Sequence, residues 1–382
     1  MSGAVARVAV ATEAYRTELR ELPVPAVGPD DGLLQVEAAA VCGTDWEIYG
    51  RRSRGAGLGP LVLGHENVGR VVALGERAAG RWGVAVGDRV AVEEFLPCGG
   101  CGMCRRGLYR LCPATDSRGG GPFLRYGSTP IAVEPGLYGG FAELMYLHPR
   151  AIVYPVGDAV APELAALYVP VANGVNWVTQ EGGLRLGDTL VVIGPGQHGL
   201  GCVLAAREAG AAAIAVVGTA ADRNRLEVAR ALGATATFVA GDDDVPAGVR
   251  ELTGGGADLV IDLAPGAVGT VAEAVALAGI RGTVGLAASK HGQPVSIPHD
   301  LVVRRELRII GLRGHDVRSV GPAIDLIRSG RHRLDLLATH RFPLAGTADA
   351  LTMAGERTDP TAIHVSVLPS YPSEATSRSR AG

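Results

Sequence analysis

The chain has 382 residues, 47% apolar and 20% charged, with a net charge of −3. That suits about two globular domains of ~150 residues each. The near-neutral balance and 4% aromatic content give no electrostatic footprint or stacking platform for nucleic acid, and no apolar run approaches the ~20 residues a membrane helix needs.

The opening MSGAVARVAVATEAYR lacks the long apolar core of a secretory signal, so a cytoplasmic location is expected. Short strands are expected at 4–10, in the Pro-punctuated segment Leu22-Pro23-Val24-Pro25, and at 32–40 (GLLQVEAAA). Val41-Cys42-Gly43-Thr44-Asp45 follows, then Gly64-His65-Glu66-Asn67-Val68-Gly69 leading into the apolar residues 71–74. Residues 88–92 read as another strand. Many short strands with Gly/Pro turns suggest a small β-barrel or sandwich. The 114–137 insert is Gly/Pro-rich without periodicity and reads as a surface loop. It and the 46–60 loop are the expected shapers of a substrate pocket. Strand pattern restarts at Gly139-Gly140-Phe141-Ala142-Glu143. Glu143 could reach a sugar hydroxyl, although a scaffold role is the preferred reading.

The period changes after Pro162. A helix is expected at 163–177, then strands at 190–193, 213–217, 238–239, 258–263, 283–286 and 307–312. Helices at 224–232 and 268–278 fall among them, and another at 320–329 follows. This alternation argues a parallel sheet with helices on both faces. Late strands at 339–344 and 363–368 are expected to return to the first domain. The polar tail SYPSEATSRSRAG reads as disordered.

Between the first of those strands and its helix stand Gly194, Gly196 and Gly199, in G-x-G-x-x-G spacing. One glycine allows a tight turn, one lets backbone approach a pyrophosphate, and one lets helix and strand pack closely. The helix N-terminus then offers free N–H groups to the phosphates. In a chain with 55 glycines the spacing alone is weak; strand, glycines and helix in the required order are the confirming context.

Two clusters carry metal chemistry. Cys98, Cys101, Cys104 and Cys112 are spaced C-x2-C-x2-C-x7-C and can close a tetrahedral thiolate cage around a structural zinc. Iron–sulfur runs share such spacing, but no other redox-cluster signal accompanies it. Cys42, His65 and Glu66 form a second set, whose open position suits Lewis-acid chemistry on an alcohol oxygen. Asp45 could orient His65, and Thr44 could carry the substrate hydroxyl proton.

These motifs together resemble the zinc-dependent medium-chain dehydrogenase/reductase superfamily over about residues 5–370. Gly87-Asp88-Arg89-Val90 and Arg341-Phe342-Pro343-Leu344 add to the match. The resemblance implies an α/β chain: a GroES-like β-barrel catalytic domain with a structural-zinc lobe (1–160), a doubly wound Rossmann NAD(P)-binding domain (161–312), a return to the catalytic domain (313–370) and a disordered tail (371–382). It implies two zincs per chain, one catalytic and one structural, NAD or NADP, and a cleft between the domains. The implied reaction is hydride transfer between an alcohol or polyol and the nicotinamide, in a dimer or tetramer. Thr44 matches the hydroxyl that passes the proton outward.

Three departures from the family pattern stand out. Val169 occupies a position where many members supply a further zinc ligand. Glu47 stands where a relay histidine is often found, and either relays or faces solvent. An ungapped reading puts Ala220 where an acidic residue usually binds the NAD ribose; Thr219 beside it is a candidate cofactor contact. Asp222 could instead hold a ribose hydroxyl, or Arg223 or Arg225 a 2′-phosphate. The rival readings are a zinc-free reductase of the quinone or enoyl type and a catalytically silent nucleotide-binding protein.

Overall fold

The strand Gly32–Ala40, expected at those bounds, organises the first half of the fold. Seven of its nine residues are buried, so it reads as an apolar run and pairs along both edges. One edge takes Glu66–Leu74; the other takes Leu144–Leu147 and His364–Val367. The computed structural model describes residues 3–51, 59–116 and 123–372. Most of the proposed tail, 117–122 of the insert and 52–58 of the 46–60 loop lie outside them.

The chain forms two compact units, Met1–Tyr168 with Ala338–Gly382, and Val169–Leu337. In the first, a seven-stranded sheet runs Ala338–Phe342, His364–Val367, Gly32–Ala40, Glu66–Leu74, Arg89–Val92, Val153–Pro155, with Leu144–Leu147 beside Gly32–Ala40. A three-stranded sheet places Val5–Glu13 between Arg16–Pro23 and Leu61–Val62. Val10, Leu34, Leu61, Val90, Phe141 and Met145 belong to the core they enclose. The late strands Ala338–Phe342 and His364–Val367 belong to this unit.

The second unit is a six-stranded sheet, every pair parallel, in the order Ala236–Val239, Ala213–Gly218, Thr189–Ile193, Ala257–Asp262, Ala278–Leu286, Arg308–Gly311. In chain order that is 3-2-1-4-5-6, the doubly wound arrangement. Its strand order reverses between Thr189–Ile193 and Ala257–Asp262, and ligands of such sheets sit off the strands' carboxyl ends there.

Three sequence readings change. Residues 123–137 are not a plain surface loop: Tyr126 and Leu137 are fully buried in the first unit's core. Tyr126 donates its hydroxyl to the Tyr146 carbonyl and accepts from the His148 N–H. Strand structure after the insert begins at Leu144, and Glu143 is scaffold: its carboxylate takes the Arg7 backbone N–H and guanidinium. The second unit extends past 312, because Val317–Arg328 buries Val320, Ala323, Ile324 and Ile327, and the Gly314 carbonyl accepts from Asn176 and Trp177. The units meet in sequence at 168/169 and 337/338, where the sequence suggested 160/161 and 312/313.

Candidate active site

Cys42 precedes the short helix Gly43–Tyr49, and Asp45, three residues on, reaches back to accept the Cys42 N–H at 2.9 Å. Such a reciprocal N-terminal bond fixes the entry of the chain into the helix. The other Asp45 oxygen accepts the Gly64 N–H at 3.1 Å and faces His65 Nδ1 at 3.1 Å. One fully buried carboxylate thus ties the cysteine turn to the histidine turn. Gly64 is needed there: its φ is +88°, and a Cβ would meet Phe141 N at 2.9 Å. With Nδ1–H given to Asp45, Nε2 is the ring atom left to bind a metal.

Glu66 opens the strand Glu66–Leu74 with no exposed surface. Neither of its carboxylate oxygens has a hydrogen-bond partner, and its carboxylate lies within 4.8 Å of Cys42 Sγ. Burial pushes Glu66 up to about 7 against the pull of His65. The Cys42 thiol is also raised, first by burial and then by Glu66. At His65 burial works downward, but the Asp45 and Glu94 carboxylates outweigh it and hold the ring well above its ordinary value. A buried carboxylate without donors, beside a thiol and an imidazole, fits a divalent cation. The ion would reverse the first two shifts, since thiolate and carboxylate are the forms that bind it. Thr44, on the first turn of the helix, has its Oγ1 4.0 Å from Cys42 Sγ. Glu47 is half-buried one helical turn further on.

The structure also brings in Glu94, which no spacing singled out. Its Oε2 lies 4.0 Å from His65 Nε2 and accepts from Arg125 Nε at 2.9 Å. The one available signal was a pair of acids, Glu93-Glu94, directly after the apolar strand Arg89–Val92.

The four cysteines of the lobe come together around the short helix Gly102–Arg105 and the turn Tyr109–Leu111, with all four Sγ atoms within 4.8 Å of one another. The Gly100 and Cys101 backbone N–H groups, then Cys112, hold the Cys98 thiol down to about 6, while burial pushes Cys104 up to about 12. N–H donors aimed at sulfur favour thiolates, the form a zinc cage requires.

In the second unit Gly194 follows the strand Thr189–Ile193, and Gly196 is the N-cap of the helix Gln197–Glu208. A Cβ at Gly199 would lie 2.2 Å from the Gly194 carbonyl oxygen, whereas one at Gly196 meets nothing within 4 Å. Gly199 therefore serves close packing, and Gly196 leaves backbone facing open space, as a dinucleotide phosphate needs. Thr219 caps the turn Ala220–Asp222. Asp222 is buried and accepts from the Thr219 N–H at 3.0 Å and its hydroxyl at 2.7 Å, with Arg225 at 3.4 Å. Arg223 is exposed and pairs with Asp242.

A thiol–imidazole–carboxylate site, a four-cysteine lobe and a doubly wound glycine-loop unit define a zinc-binding dehydrogenase. Family comparison agrees: residues 28–158 match the alcohol dehydrogenase GroES-like domain, and 199–329 the zinc-binding dehydrogenase domain. The chain is 41% identical over 372 residues to a probable alcohol dehydrogenase of Mycobacterium tuberculosis, covering 96% of this chain and 99% of that one. It is 31% identical over 370 residues to an erythritol/L-threitol dehydrogenase of Mycolicibacterium smegmatis, covering 93% and 94%. A putative zinc-binding dehydrogenase of Sinorhizobium meliloti, solved bound to NADP, superposes with a TM-score of 0.81 at 27% identity, covering 96% of this chain and all of that one. The chain belongs to the zinc-dependent medium-chain dehydrogenase/reductase superfamily.

Proposed function

We propose that the chain oxidises a primary or secondary alcohol or a polyol with NAD or NADP, using a catalytic metal site at Cys42, His65 and Glu66. The observation that carries this reading is Glu66: a fully buried carboxylate with both oxygens unpartnered, against a thiol and beside a histidine. Such a group is costly unless a cation meets it. Zinc bound there would act as a Lewis acid on the alcohol oxygen.

The chain's own residues do the rest. Asp45 fixes the tautomer and angle of His65. The Thr44 hydroxyl, close to Cys42 Sγ, receives the alcohol proton. Glu47 lies three residues on, on the same helix face, and takes the proton outward. The Gly194–Gly199 turn and the N-terminus of Gln197–Glu208 hold the dinucleotide phosphates. Cys98, Cys101, Cys104 and Cys112 hold a second, structural zinc. Relatives named for an alcohol and for a four-carbon polyol support this substrate class.

A cytoplasmic setting suits six cysteines that form no disulfide, and no described helix is long and apolar enough to cross a membrane. A homo-oligomer, dimer or tetramer, is supported by the terminal strand Arg308–Gly311, which among the described residues pairs along one edge only, and by exposed Ile280 and Val303 in the adjoining segments. Light scattering tests this part. For the activity, the test is a cofactor-reduction screen of alcohols, polyols and aldoses with both nicotinamides, alongside metal analysis. Turnover with two zincs per chain is the expected result. Turnover with one zinc would favour a zinc-free reductase, and no turnover with dinucleotide bound would favour a silent binding protein.

A further inference from the structure

We propose that Glu94 is a protein ligand of the metal held by Cys42, His65 and Glu66; this rests on the metal site proposed above. His65 presents Nε2 outward because Nδ1 is taken by Asp45, and Glu94 Oε2 stands 4.0 Å from that nitrogen. The gap is too long for a hydrogen bond. It is close to the separation of two donors on one tetrahedral zinc, roughly 3.4 Å for metal bonds of ~2.0–2.2 Å. A side-chain shift of about half an ångström closes the difference, within the reach of a carboxylate rotamer.

The residue is held for such a role. Its backbone carbonyl accepts the Tyr126 N–H at 2.9 Å, and Phe95 and Arg125 form a bridge between the neighbouring segments. Arg125 bonds Glu94 Oε2 and stacks its guanidinium 4.8 Å over the Phe95 ring. Ligating carboxylates are commonly oriented by such outer hydrogen bonds. Val169 offers no donor atom, so Glu94 supplies the carboxylate oxygen that closes the protein part of the shell.

The test uses the full-length protein, with zinc affinity of the more readily released site read by competition against a chromophoric chelator. Glu94→Ala and Glu94→Gln should weaken that zinc by at least the 10–100-fold typical of losing an oriented partner, while the four-cysteine zinc and the melting curve stay put. Gln keeps an oxygen for Arg125 and carries the test should Ala fold poorly. Glu94→Cys supplies a readout that a positioning role would not move. With cobalt exchanged into the labile site alone, a second thiolate should raise the thiolate-to-cobalt charge-transfer absorption about two-fold. Unchanged affinity in Ala and Gln, or a Cys variant with no added absorption, overturns the assignment. A parent protein with a single zinc per chain would instead strike the proposed function itself.

Discussion

Asp45 is the residue on which the geometry at His65 turns, since one carboxylate receives the Cys42 N–H, the Gly64 N–H and the imidazole. Asp45→Asn keeps the shape but loses the charge that fixes the tautomer. Zinc at the labile site should weaken about 10–100-fold, read by chelator competition; an unchanged affinity would show that His65 needs no such support. His148 gives a pH prediction. Burial, then Arg150, pushes it down to about 4, and its Nδ1 accepts the Arg150 N–H at 3.0 Å. Unfolded, it protonates near ~6.5. Between those values the unfolded chain binds the extra proton, so stability falls as the pH drops from about 6.5 toward 4. Denaturant unfolding at pH 7 and 5 should show a smaller loss for His148→Gln than for the parent; equal losses would remove His148 from the account. At this scale the proposed ligands and Asp45 were legible, because they sit in short contiguous motifs. Glu94 stayed hidden because Arg125, which aims it, lies thirty-one residues away in a stretch without periodicity.

The glycine loop shows how an element divides work among residues of one type. Gly199→Ala would set a Cβ 2.2 Å from the Gly194 carbonyl, forcing the helix off the strand at a cost of about 1–3 kcal/mol, measurable by unfolding. The Cβ of Gly196→Val meets no protein atom within 4 Å, so beyond the modest loss of a glycine N-cap it should spare the fold while lowering dinucleotide affinity, because the side chain fills the phosphate approach. A fluorescence titration checks it: unchanged binding in a folded Gly196→Val would move the cofactor elsewhere. Elements with strong period were legible; Gly32–Ala40 was found at its bounds. The helices Glu76–Trp82 and Thr347–Glu356 were missed, the first because seven residues with Ala78 alone buried show no period, the second because only Thr347, Ala350 and Leu351 of its ten residues are buried. The 123–137 stretch misled for a related reason. Its glycines and prolines signal turns, while Tyr126 and Leu137 are single buried anchors rather than a repeating face.

At the scale of the whole molecule, the two proposed metal sites differ in closure. The cage uses four thiolates and leaves no position for solvent; at the Cys42 site, where two of the four proposed ligands are carboxylates, substrate would enter as a fifth ligand. The order of motifs along the chain carried the architecture, a barrel-like unit enclosing a nucleotide unit in sequence. Substrate was not legible, since a pocket gathers side chains from distant segments, and the choice of nicotinamide was not, since residue types alone do not show that Asp222 is buried and bonded to Thr219 and Arg225. The most direct measurement follows zinc content and alcohol oxidation together during exposure to chelator, in the parent and in Cys42→Ala. Two zincs are expected in the parent, with one zinc and all activity lost in step while the cysteine cage keeps its metal. Cys42→Ala should be inactive and still bind dinucleotide. Activity outlasting complete loss of the labile zinc, or normal turnover by Cys42→Ala, would contradict a zinc-dependent reaction at Cys42.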